Sequence, residues 1–292
     1  YRVYVTGSNA KMLSKEVATT LGGRFFIYDA YPYSFKEYLA AQQVELREHW
    51  EYDTIQRSEV KRHLNEYFYY GGLPEILSFK NKRAMLSSLY QKIYLGDICA
   101  RNNIKNDRVL NILIKKMAES VKQPLSYNRL KNVIVATGSP ISVPTTIDYA
   151  DYASDSWLIL PMENEVGKLT EKEMQKKYYF VDNGLLNLFL MNSETSLLEN
   201  VVAVELCRRF GKKNVFFLNA EKEIDFIVPD EKLAIQVSYS IKDETTYNRE
   251  VPPLAKYSKL HEDWKCLLIT YDEEGTEEGI PVVPVWKWLM EV

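Results

Sequence analysis

The pattern of hydrophobic and polar positions divides the chain into an α/β beginning, a helical middle and an end rich in strands. Near the start, residues 2–5 and 24–28 form short apolar runs rich in β-branched and aromatic side chains, which predict buried strands. Residues 10–21 between them carry leucine and valine at helical spacing. A strand, a helix and a second strand in this order are typical of a parallel βαβ unit. We therefore expect residues 1–39 to be part of an α/β sheet.

Helical periodicity continues through residues 40–106, which we expect to form a helical connector or lid. Just before it, Ser34 and Glu37 stand at the N-cap and N3 positions of a predicted capping box. The Gly-Gly-Leu-Pro sequence at residues 71–74 interrupts the helices, because two glycines and a proline favour a sharp backbone turn. This turn either joins two helices tightly or contacts a ligand or another domain.

Residues 107–185 predict three helices followed by two strands, at residues 157–160 and 178–182. Ser126 is placed to cap the second of these helices. This order of elements is that of a winged-helix domain, in which the charged residues 163–177 would form the wing loop.

The pattern changes again in residues 186–292, which predict a C-terminal α/β domain. An amphipathic helix is predicted at residues 197–210. Four strands follow at residues 215–218, 224–228, 233–237 and 266–271, with a helix at about 249–261 before the last. The whole pattern predicts a multidomain chain of the α/β and α+β classes, with boundaries after residues 39, 106 and 185.

Composition and charge narrow the classes of function. Of the 292 residues, 46% are hydrophobic and 26% are charged, which is a globular balance. The net charge of −3 provides no overall positive field for nucleic acid. The three cysteines are far apart, which argues against a zinc site or a disulfide framework and indicates a reducing, cytoplasmic location. The sequence has no run of about 18 apolar residues, so no membrane span is expected.

The sequence contains no phosphate-binding loop, which requires a glycine-rich backbone that ends in Gly-Lys followed by Ser or Thr. Gly167-Lys168 and Gly211-Lys212 lack both the hydroxyl residue and the preceding glycine. We therefore predict that the chain does not hydrolyse ATP by itself. Because Tyr1 already lies inside a strand-like run, we also expect an N-terminal part of the natural protein to be missing from this chain.

Several short motifs occur in an order that is more specific than any one of them. They are Thr6-Gly7-Ser8-Asn9, Gly23-Arg24, Tyr31-Pro32-Tyr33-Ser34-Phe35-Lys36-Glu37-Tyr38, Tyr70-Gly71-Gly72-Leu73-Pro74, and Tyr94-Leu95-Gly96-Asp97-Ile98 with Arg101. In this order the chain resembles a bacterial and archaeal family of AAA-type ATPases, in which a nucleotide-binding domain precedes a conserved region of unknown function. The resemblance covers almost the whole chain.

This resemblance implies roles for three residues near the start. Asn9 or Ser8 would be the polar sensor of the γ-phosphate at the end of a strand, and Arg24 would face the phosphates. It also implies that the phosphate-binding loop and an acidic magnesium-binding strand lie before Tyr1, and that the full-length protein binds ATP and Mg²⁺. Alternatively, Asn9 caps the following helix and Arg24 pairs with a surface carboxylate.

The last hundred residues resemble a second group, the restriction-endonuclease-like enzymes. The resemblance implies a site in which a helix glutamate, a strand aspartate and a Glu-x-Lys motif hold Mg²⁺ and orient a water molecule. Glu205 and Asp225 are the candidate catalytic and metal-binding carboxylates here, whereas Gln236 and Ser238 stand in the places of Glu and Lys. Because Gln236 carries no charge and Ser238 cannot act as the lysine, we predict a degenerate site without nuclease activity.

Other interpretations of this C-terminal region are open. Lys242 can take the role of the missing lysine, although it lies four residues beyond Ser238. Thr245-Thr246 and Arg249-Glu250, at the start of the next helix, can face the same cavity. Alternatively, Glu223 and Asp225 form a solvated turn pair. A further alternative is an active Mg²⁺-dependent nuclease.

The predicted winged helix has few features of a DNA reader, which needs basic or amide side chains near the start of its recognition helix. Its third helix instead carries Asp148, Asp151 and Asp155, whose charges oppose binding of phosphates. Arg129 and Lys131, on the preceding helix, are the candidates for contact with nucleic acid. We expect this domain to bind protein or to pack between domains, with DNA binding as the alternative.

The sequence thus predicts the C-terminal part of an AAA-type ATP-binding protein that couples nucleotide state to the binding of a protein partner or nucleic acid. The alternatives are a Mg²⁺-dependent nuclease of the restriction-endonuclease-like fold and a non-enzymatic winged-helix DNA-binding module. An oligomer is compatible with each of them.

Overall fold

The computed structural model describes Tyr4, Gly7, Arg24, residues 26–220 and residues 223–291. Within these ranges the chain has a mixed α/β architecture of eleven α-helices and two β-sheets. The predicted strand–helix–strand order near the start falls mostly outside the described residues.

The helices follow one another through the whole described chain. They are α1 (Phe35–Ala41), α2 (Thr54–Tyr70), α3 (Lys82–Gln91), α4 (Asp107–Glu119), α5 (Tyr127–Ala136), α6 (Val143–Asp155), α7 (Leu169–Met174), α8 (Asn183–Asn187), α9 (Glu194–Phe210), α10 (Glu244–Leu260) and α11 (Val285–Trp288). A π-helix, Lys92–Ala100, continues directly from α3.

The strands form two groups. The small sheet contains β1 (Leu125–Ser126), β2 (Ile159–Met162) and β3 (Gln175–Phe180), and the large sheet contains β4 (Phe216–Asn219), β5 (Glu223–Val228), β6 (Leu233–Ser238), β7 (Lys265–Thr270), β8 (Gly275–Glu277) and β9 (Ile280–Pro284). The strands predicted in the C-terminal region are confirmed to within a residue or two, whereas β8, β9 and the short α11 are additional.

Local capping signals are confirmed at two helix starts. The Ser34 hydroxyl accepts from the Glu37 N–H at 3.2 Å, and the Glu37 carboxylate accepts from the Ser34 N–H at 2.7 Å, which completes the capping box of α1. The Ser126 hydroxyl accepts from the Arg129 N–H at 3.2 Å and caps α5. Both signals are local in sequence, which is why they can be read without knowledge of the tertiary structure.

The small sheet has the order β1-β3-β2 and is antiparallel throughout. The charged residues 163–177 do not form the open loop that we predicted, because they contain α7 and the first half of β3. Residues just after β2 pair with the large sheet instead of reaching into solvent. The Phe217 N–H donates to the Glu163 carbonyl at 3.1 Å, and the Glu165 N–H donates to the Phe217 carbonyl at 2.8 Å. The predicted wing is therefore part of the joint between the two sheets.

The large sheet is mixed, with the order β4-β5-β6-β7-β9-β8. Strands β6, β7 and β9 run parallel to one another, and the other pairs are antiparallel. Helix α10 packs on one face, where Val251 and Leu254 share a hydrophobic cluster with Ala234 and Leu268. Helix α9 contacts β5 and β6, as well as α2, α8 and β3.

The predicted amphipathic helix at residues 197–210 is buried on all sides. Every residue from Ser196 to Cys207 is buried, because α9 lies between the large sheet, the small sheet and the connector helices. One hydrophobic cluster accordingly includes buried side chains from Phe35 near the start to Leu289 near the end. The predicted connector, winged-helix and nuclease-like regions thus share a core.

Among the helices in the described ranges, none combines the length and the apolar character that crossing a lipid bilayer requires.

Candidate functional site

Of the three residues predicted to face a nucleotide, the structure describes one. Ser8 and Asn9 lie outside the described residues, and their role as phosphate sensor stays a prediction. Arg24 is exposed, and its role toward a phosphate likewise stays a prediction.

An ionic cluster lies buried where β3 of the small sheet meets β5 and α9. Lys177 on β3 is its centre, with Nζ 3.2 Å from Glu199 Oε1 and 3.3 Å from Asp225 Oδ1. The third carboxylate is that of Glu223, whose Oε1 lies 3.2 Å from the same Nζ. The side chain of Lys177 is 0% exposed, whereas that of Glu223 is 47% exposed and forms the rim. We call these four residues the Lys177 cluster.

Strand geometry explains why Lys177 points inwards although it lies in a charged stretch. Side chains alternate between the two faces of a strand, so Lys177 and Tyr179 share one face of β3. The Tyr179 hydroxyl donates to Glu199 Oε1 at 2.8 Å. The neighbouring Lys176 pairs with Glu163 at 3.2 Å instead. Lys176 and Tyr178 share the other face of β3, so the sequence Lys-Lys-Tyr-Tyr places one lysine and one tyrosine on each face and does not show which lysine is buried.

The backbone hydrogen bonds between strands β5 and β6 end at the Lys177 cluster. Beyond this point, side chains of one strand bond the backbone of the other. The ladder ends at the pair Phe226–Ile235. Beyond it, the Asp225 N–H donates to Gln236 Oε1 at 3.2 Å, and the Val237 N–H donates to Asp225 Oδ2 at 3.0 Å. Asp225 therefore lies in a strand and is buried, in contrast to the alternative interpretation as a solvated turn.

Gln236 has a second hydrogen bond that accounts for an amide at this position. Its Nε2 donates to Glu250 Oε2 on α10 at 2.5 Å. The side chain thus accepts from a backbone N–H and donates to a carboxylate, which an ionised glutamate cannot do. Glu250 also accepts from Arg249 Nε at 2.7 Å. The expectation that Arg249-Glu250 faces the same region as Asp225 agrees with this placement of Glu250.

The structure does not bring the other two candidates into the cluster. Glu205 accepts from Arg208 Nε at 3.1 Å and from Arg209 Nε at 2.8 Å. It lies six residues after Glu199, which is about 120° around a helix of 3.6 residues per turn. Ser238 donates to the Ser240 carbonyl at 3.0 Å. Glu199, which we had not selected, is therefore the residue of α9 that joins Asp225.

The donor set does not fit a resident magnesium ion. The Asp225 and Glu199 carboxylates already face the ammonium group of Lys177. In the described part of the chain, no group of three or more His, Cys, Asp or Glu side chains is arranged to hold a metal ion. The predicted pair of metal candidates, Glu205 and Asp225, is thus not a common site in this structure.

The charges of the cluster shift the pKa values of its members. Burial opposes ionisation of Lys177, but the nearby carboxylates of Glu199 and Asp225 outweigh it and raise the pKa of Lys177. Desolvation raises the pKa of Glu199 to about 7, against the attraction of Lys177. Burial, with the proximity of Asp225, also raises the pKa of Glu250. Glu199 is therefore only partly ionised near neutral pH, although it faces an ammonium group.

Replacement of Glu199 by glutamine should change how stability depends on pH. The pKa of Glu199 in the folded protein, about 7, lies above the ordinary value of 4.5 that we expect in an unfolded chain. Its contribution to stability is therefore full below about pH 4.5 and is lost as pH rises through about 7. Glutamine does not ionise, so the variant does not lose this stability as the pH rises. The free energy of unfolding of Glu199→Gln minus that of wild type should therefore increase by up to about 3 kcal/mol from pH 4.5 to pH 8.

Urea denaturation at pH 4.5 and pH 8 measures this change. The control is Glu262→Gln, since Glu262 is exposed and distant in sequence from the cluster. If the difference between Glu199→Gln and wild type is the same at both pH values, desolvation of Glu199 does not govern its ionisation.

A second buried joint accounts for the Gly-Gly turn at residues 71–72. Asp182, the N-cap of α8, accepts from the Gly72 N–H at 2.7 Å and from the Gly184 N–H at 2.8 Å. Desolvation raises the pKa of Asp182 to about 6, while these N–H groups act in the opposite direction. The turn thus contacts a distant part of the same chain, and its glycines require no ligand to explain them.

The segment that leads into α1 is held against the C-terminal end of α9. Lys212 Nζ lies 3.4 Å from Asp29 Oδ2, and the Arg208 guanidinium lies over the Tyr31 ring, 5.4 Å from its centroid. Tyr31 also packs edge-to-face on Trp157, with centroids 5.4 Å apart. We call these five residues the connector clamp. It joins the end of the predicted nucleotide-binding part to the body of the chain.

The candidate residues for DNA contact lie beside acidic ones. Arg129 is exposed at the start of α5, and Lys131 is half-buried on the same helix. The exposed positions of α6 include Asp148 and Asp151. Helix α6 therefore presents negative charge where a DNA-reading helix presents positive charge.

Two protein families match parts of the chain. A family described as an AAA domain matches residues 1–39, and a family described as a domain of unknown function (DUF8612) matches residues 61–196. An uncharacterized protein of Methanocaldococcus jannaschii is 31% identical over 310 aligned positions, which cover 99% of this chain and 68% of the relative. An uncharacterized protein of Haemophilus influenzae is 32% identical over 299 positions, which cover 99% of this chain and 71% of the relative.

The chain belongs to the family of these relatives, an AAA-type family that carries a domain of unknown function. The AAA match ends at residue 39, the residue at which we placed the end of the nucleotide-binding part. The domain of unknown function includes Lys177 and Asp182, whereas Glu199 and Asp225 lie beyond it. No solved structure matches the chain.

Proposed function

We propose that this chain is the non-catalytic body of an AAA-type ATP-binding protein and that it carries the nucleotide state of the AAA domain to a bound partner. In this proposal ATP and Mg²⁺ bind to the AAA domain of the full-length protein, with Ser8 or Asn9 as sensor and Arg24 facing the phosphates. The connector clamp is the observation that carries the proposal. Since the clamp joins the end of the AAA match to α9, a displacement of the AAA domain pulls on the centre of the core.

The Lys177 cluster supports a body without hydrolytic activity. We propose a restriction-endonuclease-like fold for the C-terminal region, with β5 and β6 separating at Asp225 as the main argument. Hydrolysis by such a site needs a metal ion, an accessible water and a group that activates it. Here Lys177 and Asp225 are buried and paired with each other, and the Ser238 hydroxyl is bonded to a backbone carbonyl.

The partner that we propose is a protein rather than DNA. The residues after β2, which would form the wing of a winged-helix domain, pair with Phe217 of the large sheet. The exposed positions of α6 include Asp148 and Asp151, which oppose binding of phosphates. A surface of this charge suits a partner with basic side chains.

Hydrogen exchange of the full-length protein with and without a non-hydrolysable ATP analogue tests the coupling. We expect the analogue to change the protection of residues 29–37 and of the C-terminal half of α9. In Arg208→Ala the change should remain in the AAA domain and fall at least threefold in α9, because the cation–π contact with Tyr31 is lost.

Arg209→Ala is the matched control for this experiment. Arg209 bonds Glu205 and the Trp288 carbonyl and is not part of the connector clamp. Both variants should bind the ATP analogue as wild type does. The same response of α9 in wild type and Arg208→Ala would contradict the role of the clamp.

Two further measurements separate this proposal from its alternatives. Cleavage of plasmid DNA that needs Mg²⁺ or Mn²⁺ and is abolished by Asp225→Ala would establish the nuclease. A salt-dependent gel shift that Arg129→Ala and Lys131→Ala weaken would establish the winged-helix DNA-binding module. We expect neither cleavage nor a shift at low salt.

A further inference from the structure

Three carboxylates converge on one ammonium group inside the protein. The Nζ atom of Lys177 lies within 3.2–3.3 Å of an oxygen of Glu199, of Glu223 and of Asp225. A lysine ammonium group has three donors. Glu199 and Asp225 accept hydrogen bonds from these donors, whereas Glu223 forms an ion pair with the ammonium group. The carboxylates come from two different elements, α9 and β5.

Three carboxylates face one ammonium group, which is more than an ordinary ion pair contains, although as they stand they do not form a metal site. Carboxylate oxygens are the ligands that Mg²⁺ and Ca²⁺ prefer, at about 2.0–2.6 Å. The three oxygens already surround one point at 3.2–3.3 Å, so each needs to move by only about 1 Å to reach such a distance. The Asp225 carboxylate is also fixed by the Val237 N–H at 3.0 Å, which keeps it directed at this point.

Lys177 reaches this point from outside the region that supplies the carboxylates. It lies on β3 of the small sheet, whereas Glu223 and Asp225 lie on β5 of the large sheet. The aromatic ring of Phe217 also lies near the ammonium group, with its centroid 5.6 Å from Nζ. The ammonium group is thus enclosed, and the side chain of Lys177 is 0% exposed.

We infer that Lys177 is a resident cation that takes the place of a divalent metal ion among Glu199, Glu223 and Asp225, and so keeps this site free of metal. Lys177 supplies one positive charge where a divalent metal ion would supply two. The three carboxylates of the cluster therefore carry more negative charge than Lys177 neutralises. The inference concerns this site alone and does not depend on the coupling role proposed above.

Titration of the protein with Mn²⁺, followed by calorimetry and thermal unfolding, tests the inference. Lys177→Ala removes the ammonium group and opens the space, so we expect one Mn²⁺ site that binds at least tenfold more tightly than any site in wild type. Lys177→Met removes the charge but fills the space, and we expect it not to gain the site. Lys176→Ala is the control on the neighbouring residue, since Lys176 pairs with Glu163 and not with the cluster.

Two results would overturn the inference. One is a folded Lys177→Ala that binds Mn²⁺ no better than wild type. The second result is a single Mn²⁺ site in the wild-type protein that Asp225→Asn removes, which is measured without any change at Lys177. If Lys177→Ala is unfolded in the absence of metal, folding on addition of Mn²⁺, measured by circular dichroism, supports the inference. In that case, failure to fold, together with an Mn²⁺ site in wild type that Asp225→Asn removes, overturns it.

Discussion

Gly71→Ala is expected to lower the free energy of unfolding by about 3–5 kcal/mol. Gly71 has φ of +77°, a conformation that alanine adopts only with strain. A Cβ atom at this position would lie 2.1 Å from both carboxylate oxygens of Asp182. The turn would have to move, which breaks the bond from the Gly72 N–H and leaves a buried carboxylate with fewer donors.

Urea denaturation followed by tryptophan fluorescence measures this loss. Gly96→Ala is the matched control, because a Cβ at Gly96 meets no atom within 4 Å outside its own helix backbone and chain neighbours. We expect the control to differ from wild type by less than about 1 kcal/mol. A loss of less than about 1 kcal/mol in Gly71→Ala would show that the turn is not docked on Asp182.

Asn200→Ala is the second substitution for which we expect a large effect, a loss of about 3–4 kcal/mol. Asn200 is 0% exposed on α9. Its Oδ1 accepts from the Phe180 N–H at 2.7 Å, and its Nδ2 donates to the Phe180 carbonyl at 2.9 Å. Nδ2 also donates to Asn183 Oδ1 at 2.9 Å. Alanine would leave several buried polar groups without a partner, which costs more than the bonds themselves contribute.

Asn214→Ala provides the comparison for the same change of side chain. Asn214 is exposed, and its amide donates to the Phe210 carbonyl at 2.8 Å. Its loss should cost less than about 1 kcal/mol in the same denaturation experiment, because water replaces the lost bond. Equal losses in the two variants would contradict the assignment of Asn200 as a buried link between β3 and α9.

The sequence was informative where the structural cause is local. The capping box of Ser34 and Glu37 and the cap at Ser126 depend on contacts three residues apart, and both are confirmed. The strand that carries Asp225 was also predicted correctly, because its apolar residues are β-branched and aromatic side chains of the kind enriched in strands. These features need no knowledge of distant segments.

The choice of Glu205 over Glu199 shows where periodicity stops being useful. On a surface helix the apolar stripe identifies the inner face, but α9 is buried around its whole circumference. Its glutamates therefore cannot be assigned to a face from spacing alone. Their directions follow from their partners, which are Arg208 for Glu205 and Lys177 for Glu199. Lys177 lies 22 residues from Glu199 in the sequence, so helical spacing does not reveal this pairing.

The joints between distant segments were beyond the reach of the sequence for a similar reason. Gly72 and Asp182 are 110 residues apart, and a single sequence carries no signal that pairs them. Lys177 was predicted to lie in a wing loop, as the last residue of the charged stretch 163–177. Burial of a charge in such a run depends on carboxylates that a different region supplies.

We propose that the described chain after residue 28 acts as one body, joined by the Lys177 cluster, Asp182 and the connector clamp. Native-state hydrogen exchange in increasing concentrations of urea tests it most directly. We expect the core amides of α4, α9 and β6 to exchange with the same free energy of opening and the same dependence on urea. Amides of β6 that stay protected after those of α4 have exchanged would contradict it, because the large sheet would then fold independently of the helices.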